Sequence, residues 1–445
     1  MEVLKSVKEK LTSFQIIILG FAGVILLGAI LLMLPISSQS HTFTPFNQAL
    51  FTSTSAVCVT GLVLLDTATH WSFFGQIIIL ILIQIGGLGV ITVATLFVML
   101  AGRKISLVHR QTMQNALSTP QVGGVVKLTR FVFKGVFIVE LIGALLLLPL
   151  FCKRYGFEGI WMSIFHSISA FCNAGFDLMG AKTGQFSSIT SFSDNIYATI
   201  VFSVLIVSGG IGFLTWEDIV TKRTRFKEYK MQSKVIIYTT IVLLVIPAIV
   251  FFFQDFADMP MKERICVSVF QAVTPRTAGF NTADYSAMTD NGRALSMALM
   301  IIGGSPGSTA GGMKTTTIAI LFANAIAVFR KRNYANYFGR RIEDSVVKNA
   351  ATIFFMYITF SMIGAFIISA VERFSLTECM FETISAIGTV GVTLGITPEL
   401  GYISQIVLIL LMFFGRVGGL TLIYAAFSRR DLYTSKYPVE NIMVG

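Results

Sequence analysis

The chain has 445 residues, 54% of them hydrophobic and only 13% charged, with a formal net charge of +11 and a mean hydropathy of +0.76. Soluble domains carry about 25% charged residues. A soluble core cannot hide this much apolar surface, so the composition points to a polytopic membrane protein.

Apolar stretches of about 20 residues, enough to cross a hydrocarbon core of ~30 Å, follow one another along the chain. Lys5, Lys8 and Lys10 precede the first, Gln15 to Ile36. It is long enough to span and lacks a small-residue cleavage site, so it reads as a retained helix with a cytoplasmic N-terminus. "FTPFNQALFTSTSA" follows, too short to span and suited to a re-entrant half-helix. Next come a span from Gln76 to Ala101 containing "IGGLG" (85–89) and a span from Arg130 to Phe151. A second short stretch, "GIWMSIFHSISA", leads to a span from Ile196 to Trp216 containing "SGGIG" (208–212). Further spans run from Val235 to Phe253, Ala350 to Val371 and Tyr402 to Phe427, the last containing "VGGL" (417–420). An eighth, Ala294 to Phe329, is too long and is interrupted by "GGSPGSTAGGMKTTT" (303–317).

Four stretches align without gaps: "TSAVCVTGL" (54–62), "ISAFCNAGF" (168–176), "AVTPRTAGF" (272–280) and "ISAIGTVGV" (384–392). They share a glycine at Gly61, Gly175, Gly279 and Gly391, at intervals of 114, 104 and 112 residues. Ten residues before the glycine stands Phe51, Phe165 or Phe381, and six before it Ser55, Ser169 or Ser385. The third copy diverges at both places, with Val269 beside Phe270, and Val273. Such a period marks an internally repeated architecture. The predicted fold is an all-α polytopic membrane protein of four tandem helix–pore loop–helix repeats around a pseudo-fourfold central pore. The repeats are expected at 1–106, 107–226, 227–336 and 337–445.

Charge placement supports this topology. It puts 23 of the 34 Lys and Arg residues in the N-terminus, segments 102–130, 217–234 and 330–349, and the C-terminus, against eight in the alternate segments. By the positive-inside rule the first set is cytoplasmic. The +11 is then a topology signal, and nucleic acid is not needed as a partner.

Non-helical backbone at membrane depth must be buried in protein or line a watery path. Four equivalent glycine loops imply a shared axis, where carbonyl oxygens can replace a cation's water shell. Glycine reaches backbone conformations closed to other residues and leaves the pore unfilled. The expected ion-binding set is Val59, Thr60 and Gly61; Asn173, Ala174 and Gly175; Thr277, Ala278 and Gly279; Thr389, Val390 and Gly391. "TVGVT" (389–393) is similar to the TVGYG filter of potassium channels. Thr60, Asn173, Thr277 and Thr389 either ligate the ion or serve ordinary loop hydrogen bonding. In "IGGLG", "SGGIG" and "VGGL" close helix contact is expected rather than an ion role.

The interrupted stretch superficially resembles a phosphate loop. Met313 intervenes before Lys314-Thr315, however, and no strand-to-helix unit surrounds it, so the Walker pattern fails. Its five glycines and Pro306 instead forbid a regular helix. It reads as a broken membrane helix on the cytoplasmic side of Gly279.

Several charged groups carry open alternatives. Arg276 and Asp177 either shape the pore entrance or pair with each other. Glu140 and Glu382 need a partner or water, Lys134 being one option for Glu140. His166 reads as packed and hydrogen-bonded. Arg416, central in a predicted span, needs carbonyl or acidic partners, or forms a barrier below the filter. The five cysteines have no metal spacing, and no acid, base or nucleophile constellation for an enzyme is visible.

Taken together, the four glycine loops and the broken third-repeat helix resemble the membrane subunit of the Trk/Ktr/HKT potassium transporters, over essentially the whole chain. With no helices expected before the first repeat, it looks like the Ktr type. In that family a serine at the first filter position goes with sodium preference, so the resemblance implies that Gly61 favours potassium. It implies an intramembrane gate formed by Gly303, Gly304, Ser305, Pro306, Gly307, Ser308, Thr309, Ala310, Gly311, Gly312, Lys314 and Arg416. It further implies a homodimer in the cell membrane, with a separate cytoplasmic nucleotide-binding ring docked on it. Potassium is then substrate, sodium an activator, and no covalently bound cofactor is expected. A sodium or ammonium conduit on the same scaffold is the rival reading.

Overall fold

A computed structural model describes residues 12–100, 111–114, 124–419, 421–422 and 440. The basic residues Lys5, Lys8, Lys10, Arg103, Lys104, Arg110, Arg429, Arg430 and Lys436 lie outside them.

Thr12 opens the first long helix. Its hydroxyl accepts from the Gln15 amide while the Gln15 side chain accepts from the Thr12 N–H, so two donors stranded at a helix start are met reciprocally. This helix, α1 (Ser13–Met33), is followed by the short α2 (Phe46–Cys58), then α3 (Phe73–Leu88) and α4 (Val90–Leu100). The second copy is α5 (Val125–Tyr155), α6 (Glu158–Phe171), α7 (Ile196–Gly210) and α8 (Phe213–Lys222). The third is α9 (Met231–Gln254), α10 (Met261–Val273), α11 (Asp290–Ile301) and α12 (Thr315–Phe329). The fourth is α13 (Asp344–Val371), α14 (Leu376–Gly388) and α15 (Tyr402–Val417).

The leading helices α1, α5, α9 and α13 are long and apolar enough to cross a membrane. They turn large apolar residues outward, such as Leu26, Leu27 and Ile30 on α1 and Leu141, Ile142 and Leu145 on α5. The short helices do the reverse. Thr52, Ser53, Thr54 and Ser55 of α2 are completely buried, so the polar residues sit inside and the apolar ones face the surroundings, as a bilayer requires.

Each short helix packs on the leading helix of its own repeat. It also meets the helix that follows the preceding glycine loop: α3 touches α6, α7 touches α10, α11 touches α14, and α15 returns to α2. The fourth repeat therefore closes on the first, and the four form a ring.

The expected spans over Gln76–Ala101 and Ile196–Trp216 are each broken by a bend. α3 and α4 meet at 97° and α7 and α8 at 102°. Gly89 and Gly212 stand at the bends with φ of 85° and 94°, in the region where a Cβ would clash. α15 likewise ends before Gly418, at φ 90°. The third repeat has the longest interruption, but all four second helices are broken or stopped at the same level.

Candidate functional site

The short helices point their C-termini at one place because of how they end. Residues Val59, Asn173 and Thr389 adopt left-handed backbone at φ 57°, 59° and 51°. The next amide reaches back to the helix: Thr60 N to Ser55 O, Ala174 N to Ser169 O and Val390 N to Ser385 O, each 2.8 Å. This closure satisfies carbonyls left over at a helix end and throws the chain into an extended loop. Two residues on, Gly61, Gly175 and Gly391 again have positive φ, at 92°, 70° and 90°.

The third copy reaches the same geometry by a different route. Thr277 and Gly279 have φ of 70° and 80°, but Ala278 N bonds Thr274 O at 2.9 Å, a continued helical turn. The gap-free alignment is one residue out before this glycine. Thr274, not Val273, supplies the hydroxyl: its Oγ1 donates to Phe280 O at 2.6 Å, as Ser169 Oγ does to Phe176 O at 2.7 Å. Phe270, not Val269, is the fully buried aromatic matching Phe51, Phe165 and Phe381. In the first and fourth copies the serine accepts from the glycine itself, Gly61 N to Ser55 Oγ and Gly391 N to Ser385 Oγ, both 3.1 Å.

The glycines form a closed circuit. A Cβ at Gly61 would lie 2.6 Å from Ala174 O, at Gly175 2.8 Å from Gly279 Cα, at Gly279 2.7 Å from Val390 O, and at Gly391 2.1 Å from Thr60 O. Each loop therefore touches the next in chain order, and no position has room for a side chain. A cavity of about 180 Å³ opens on one side of this ring, lined by the four glycines with Asp66 and Asp177. The hydroxyls of Thr60 and Thr389 are buried without a hydrogen-bond partner among the described residues. Among the described residues, the Thr277 hydroxyl is approached by the Asn173 side-chain amide, at 3.5 Å.

On the other side lies the interrupted segment. Ile302 and Met313 pair across its neck, with Gly303 N on Met313 O at 2.8 Å and Thr315 N on Gly304 O at 2.9 Å. Its outer arc is held by neighbouring repeats: Ser305 N and Thr309 N donate to Gly210 O and Gly209 O, Phe213 N to Gly307 O, and Gly312 N to Gly415 O. Peptide groups in a dry interior must be paired, and this segment pairs them mainly across repeats. Lys314 Nζ donates to Ala310 O and Gly311 O at 2.8 and 3.1 Å. Arg416 donates to Thr309 O and to Gly86 O and Gly87 O. Its partners are thus carbonyls of two other repeats rather than an acid. A cavity of about 200 Å³, lined by Lys314, Arg416, Gly307 and Gly312, lies beyond the segment.

The helix glycines divide: Gly86 and Gly209 are contact residues as expected, whereas Gly418 of "VGGL" has nothing nearer than 3.9 Å and the matching contact falls to Gly415. A Cβ at Gly86, Gly209 or Gly415 would lie within 2.0 Å of the Val57, Phe171 or Ile387 carbonyl oxygen at a short-helix end. Asp177 and Arg276 do not pair: Asp177 Oδ1 accepts from Met179 N, and Arg276 meets Thr240. Glu140 is met by Gln84 Nε2 at 3.1 Å rather than by the exposed Lys134. Glu382 accepts from the hydroxyls of Thr393 and Thr397 and from Leu394 N. His166 is fully buried between Met162 O and Leu178 N. The Ser/Thr hydroxyls bracing the glycine loops were signalled by their recurrence, but not their partners.

Comparison with known proteins agrees with this architecture. The TrkH family of cation transport proteins matches residues 7–431. The chain is 41% identical to the potassium/sodium uptake protein NtpJ of Enterococcus hirae over 99% of both chains. It is 36% identical to the Ktr system potassium uptake protein B of Bacillus subtilis, over 98% of this chain and 97% of that one. The fold is that of the potassium transporter TrkH from Vibrio parahaemolyticus, with a TM-score of 0.72 at 18% identity, covering 92% of this chain and 83% of that one. The four-repeat membrane protein described here belongs to the TrkH family of cation transport proteins.

Proposed function

We propose that this chain carries potassium ions into the cell, down the electrical gradient, as the ion-translocating subunit of a Ktr-type system. The observation that carries this reading is the closed circuit of four glycine loops lying between a carboxylate-bearing mouth and a hydrogen-bonded plug. Backbone carbonyls at Val59–Gly61, Asn173–Gly175, Thr277–Gly279 and Thr389–Gly391 form the filter. Segment 303–314 and Arg416 form the gate. The ring side with Asp66 faces outward, and both termini and the basic segments face the cytoplasm. The repeats divide at about 106, 226 and 336. The active assembly is a homodimer with a separate nucleotide-binding ring, consistent with Ktr relatives named as components of a system, and sodium activates it.

Sodium conduction is the second reading, favoured by the name of the Enterococcus hirae relative. Purified protein in liposomes, assayed with potassium, rubidium, sodium and ammonium, separates them. A clear preference for potassium and rubidium supports the proposal, and equal sodium and potassium flux rejects it.

A further inference from the structure

Thr309 differs from the rest of the interrupted segment in what it touches. It is fully buried, and each of its polar atoms is engaged by a different structure. Its N–H donates to Gly209 O of α7 at 3.2 Å, and its carbonyl accepts from Arg416 of α15. Its Oγ1 donates to Phe171 O, at the end of the second short helix, at 3.0 Å, and lies 3.3 Å from Asn173 Oδ1. Turned about its last bond, the Asn173 amide donates to Phe171 O, Thr309 Oγ1 and Ile206 O at 3.1, 3.3 and 3.2 Å. Thr309 and Asn173 are therefore in contact in either orientation.

Asn173 is the residue that turns the second filter loop, at φ 59°, two positions before Gly175. Of the four equivalent residues, Val59 has no polar side chain and Thr277 is bonded to Asn173. Thr389 meets the segment only by packing, a Cβ at Gly311 lying 2.1 Å from its Oγ1. Thr309 thus makes the polar link between the plug and the filter itself. A simple barrier needs no such link. Coupling between two sites requires a contiguous physical connection whose arrangement both can bias, and here it is one hydroxyl long.

We propose that Thr309 is a positioning residue for ion selection. Its hydroxyl fixes Asn173 and the Phe171 carbonyl while the segment is seated, so unseating the segment also relaxes the second filter loop. Flux and selectivity are then coupled. This rests on the filter reading above, and the wild-type potassium-to-sodium flux ratio judges that reading separately, before any variant is compared.

The test uses the full chain in liposomes. Thr309→Val keeps the shape and removes the donor, and Thr309→Ser restores it. The expected result is higher potassium flux in T309V with a potassium-to-sodium ratio lowered about fivefold or more, the lower end of ordinary site-to-site coupling, and recovery of the ratio in T309S. Higher flux at an unchanged ratio makes the segment a barrier only and overturns the proposal. Unchanged flux and ratio overturn it too. Should T309V not fold, Thr309→Ala replaces it as a smaller variant that removes the same hydroxyl, with the same two overturning results.

Discussion

Replacing Gly279 with serine is the most direct test of the ring. At φ 80° a side chain is strained whatever surrounds it, at about 1–3 kcal/mol. Here the space is also taken, with the ideal Cβ 2.7 Å from Val390 O and 2.8 Å from Gly175 Cα. Overpacking a tight site adds about 1–3 kcal/mol. The lower bound is about 2 kcal/mol, and at 1.4 kcal/mol per factor of ten it corresponds to roughly thirtyfold. Both neighbours that must move belong to other loops of the ring, so the penalty falls on the carbonyls proposed to ligate the ion. Rubidium uptake into potassium-loaded liposomes should show at least about tenfold weaker apparent affinity, the rest of the penalty appearing as lost stability. Gly184→Ser is the control, since Gly184 also has positive φ, at 113°, but nothing within 4 Å. It carries the strain without the collision and should transport normally. A G279S protein with wild-type potassium affinity and potassium-to-sodium ratio would refute the filter assignment.

Three further outcomes follow from the same contacts. Deleting part of 305–313 should raise potassium flux, and a folded deletion protein with unchanged flux counts against gating by this segment. Arg416→Met removes the donors to Thr309 O, Gly86 O and Gly87 O, so flux should rise in the same assay; a fall, with the melting temperature retained, would mean that Arg416 aids conduction. Ser55→Ala strands the buried Gly61 N–H at a cost of about 1–3 kcal/mol, visible as a lower melting temperature in detergent and weaker rubidium affinity. Wild-type values for both would show that the serine does not brace the filter.

Much of this site was legible in the chain because its chemistry is backbone chemistry. A loop that must turn through left-handed conformations with no room for a side chain needs glycine at one register position, and Gly61, Gly175, Gly279 and Gly391 recur accordingly. The break in the third repeat was legible for the same reason, since five glycines and a proline cannot continue a helix. Long apolar segments and the placement of basic residues were enough to read a multi-pass membrane protein.

Other features were out of reach because they depend on residues far apart in the chain. Gly89 and Gly212 look like helix-packing glycines in one dimension; only the backbone shows that each marks a bend of about a right angle, at 97° and 102°. The one-residue offset in the third repeat is invisible to a gap-free alignment, because Thr274 replaces the missing serine from the adjacent position. Partners for Arg416 and Thr309 could not be guessed, since they are carbonyls that any residue could supply. The sequence by itself determined four repeats, a glycine at each loop turn and an interrupted helix, because those follow from local backbone limits and hydropathy. Tertiary structure alone decided the order of the ring, the bends beneath it and the bonds that hold the interrupted segment, because each joins peptide groups brought together only when the fourth repeat closes on the first.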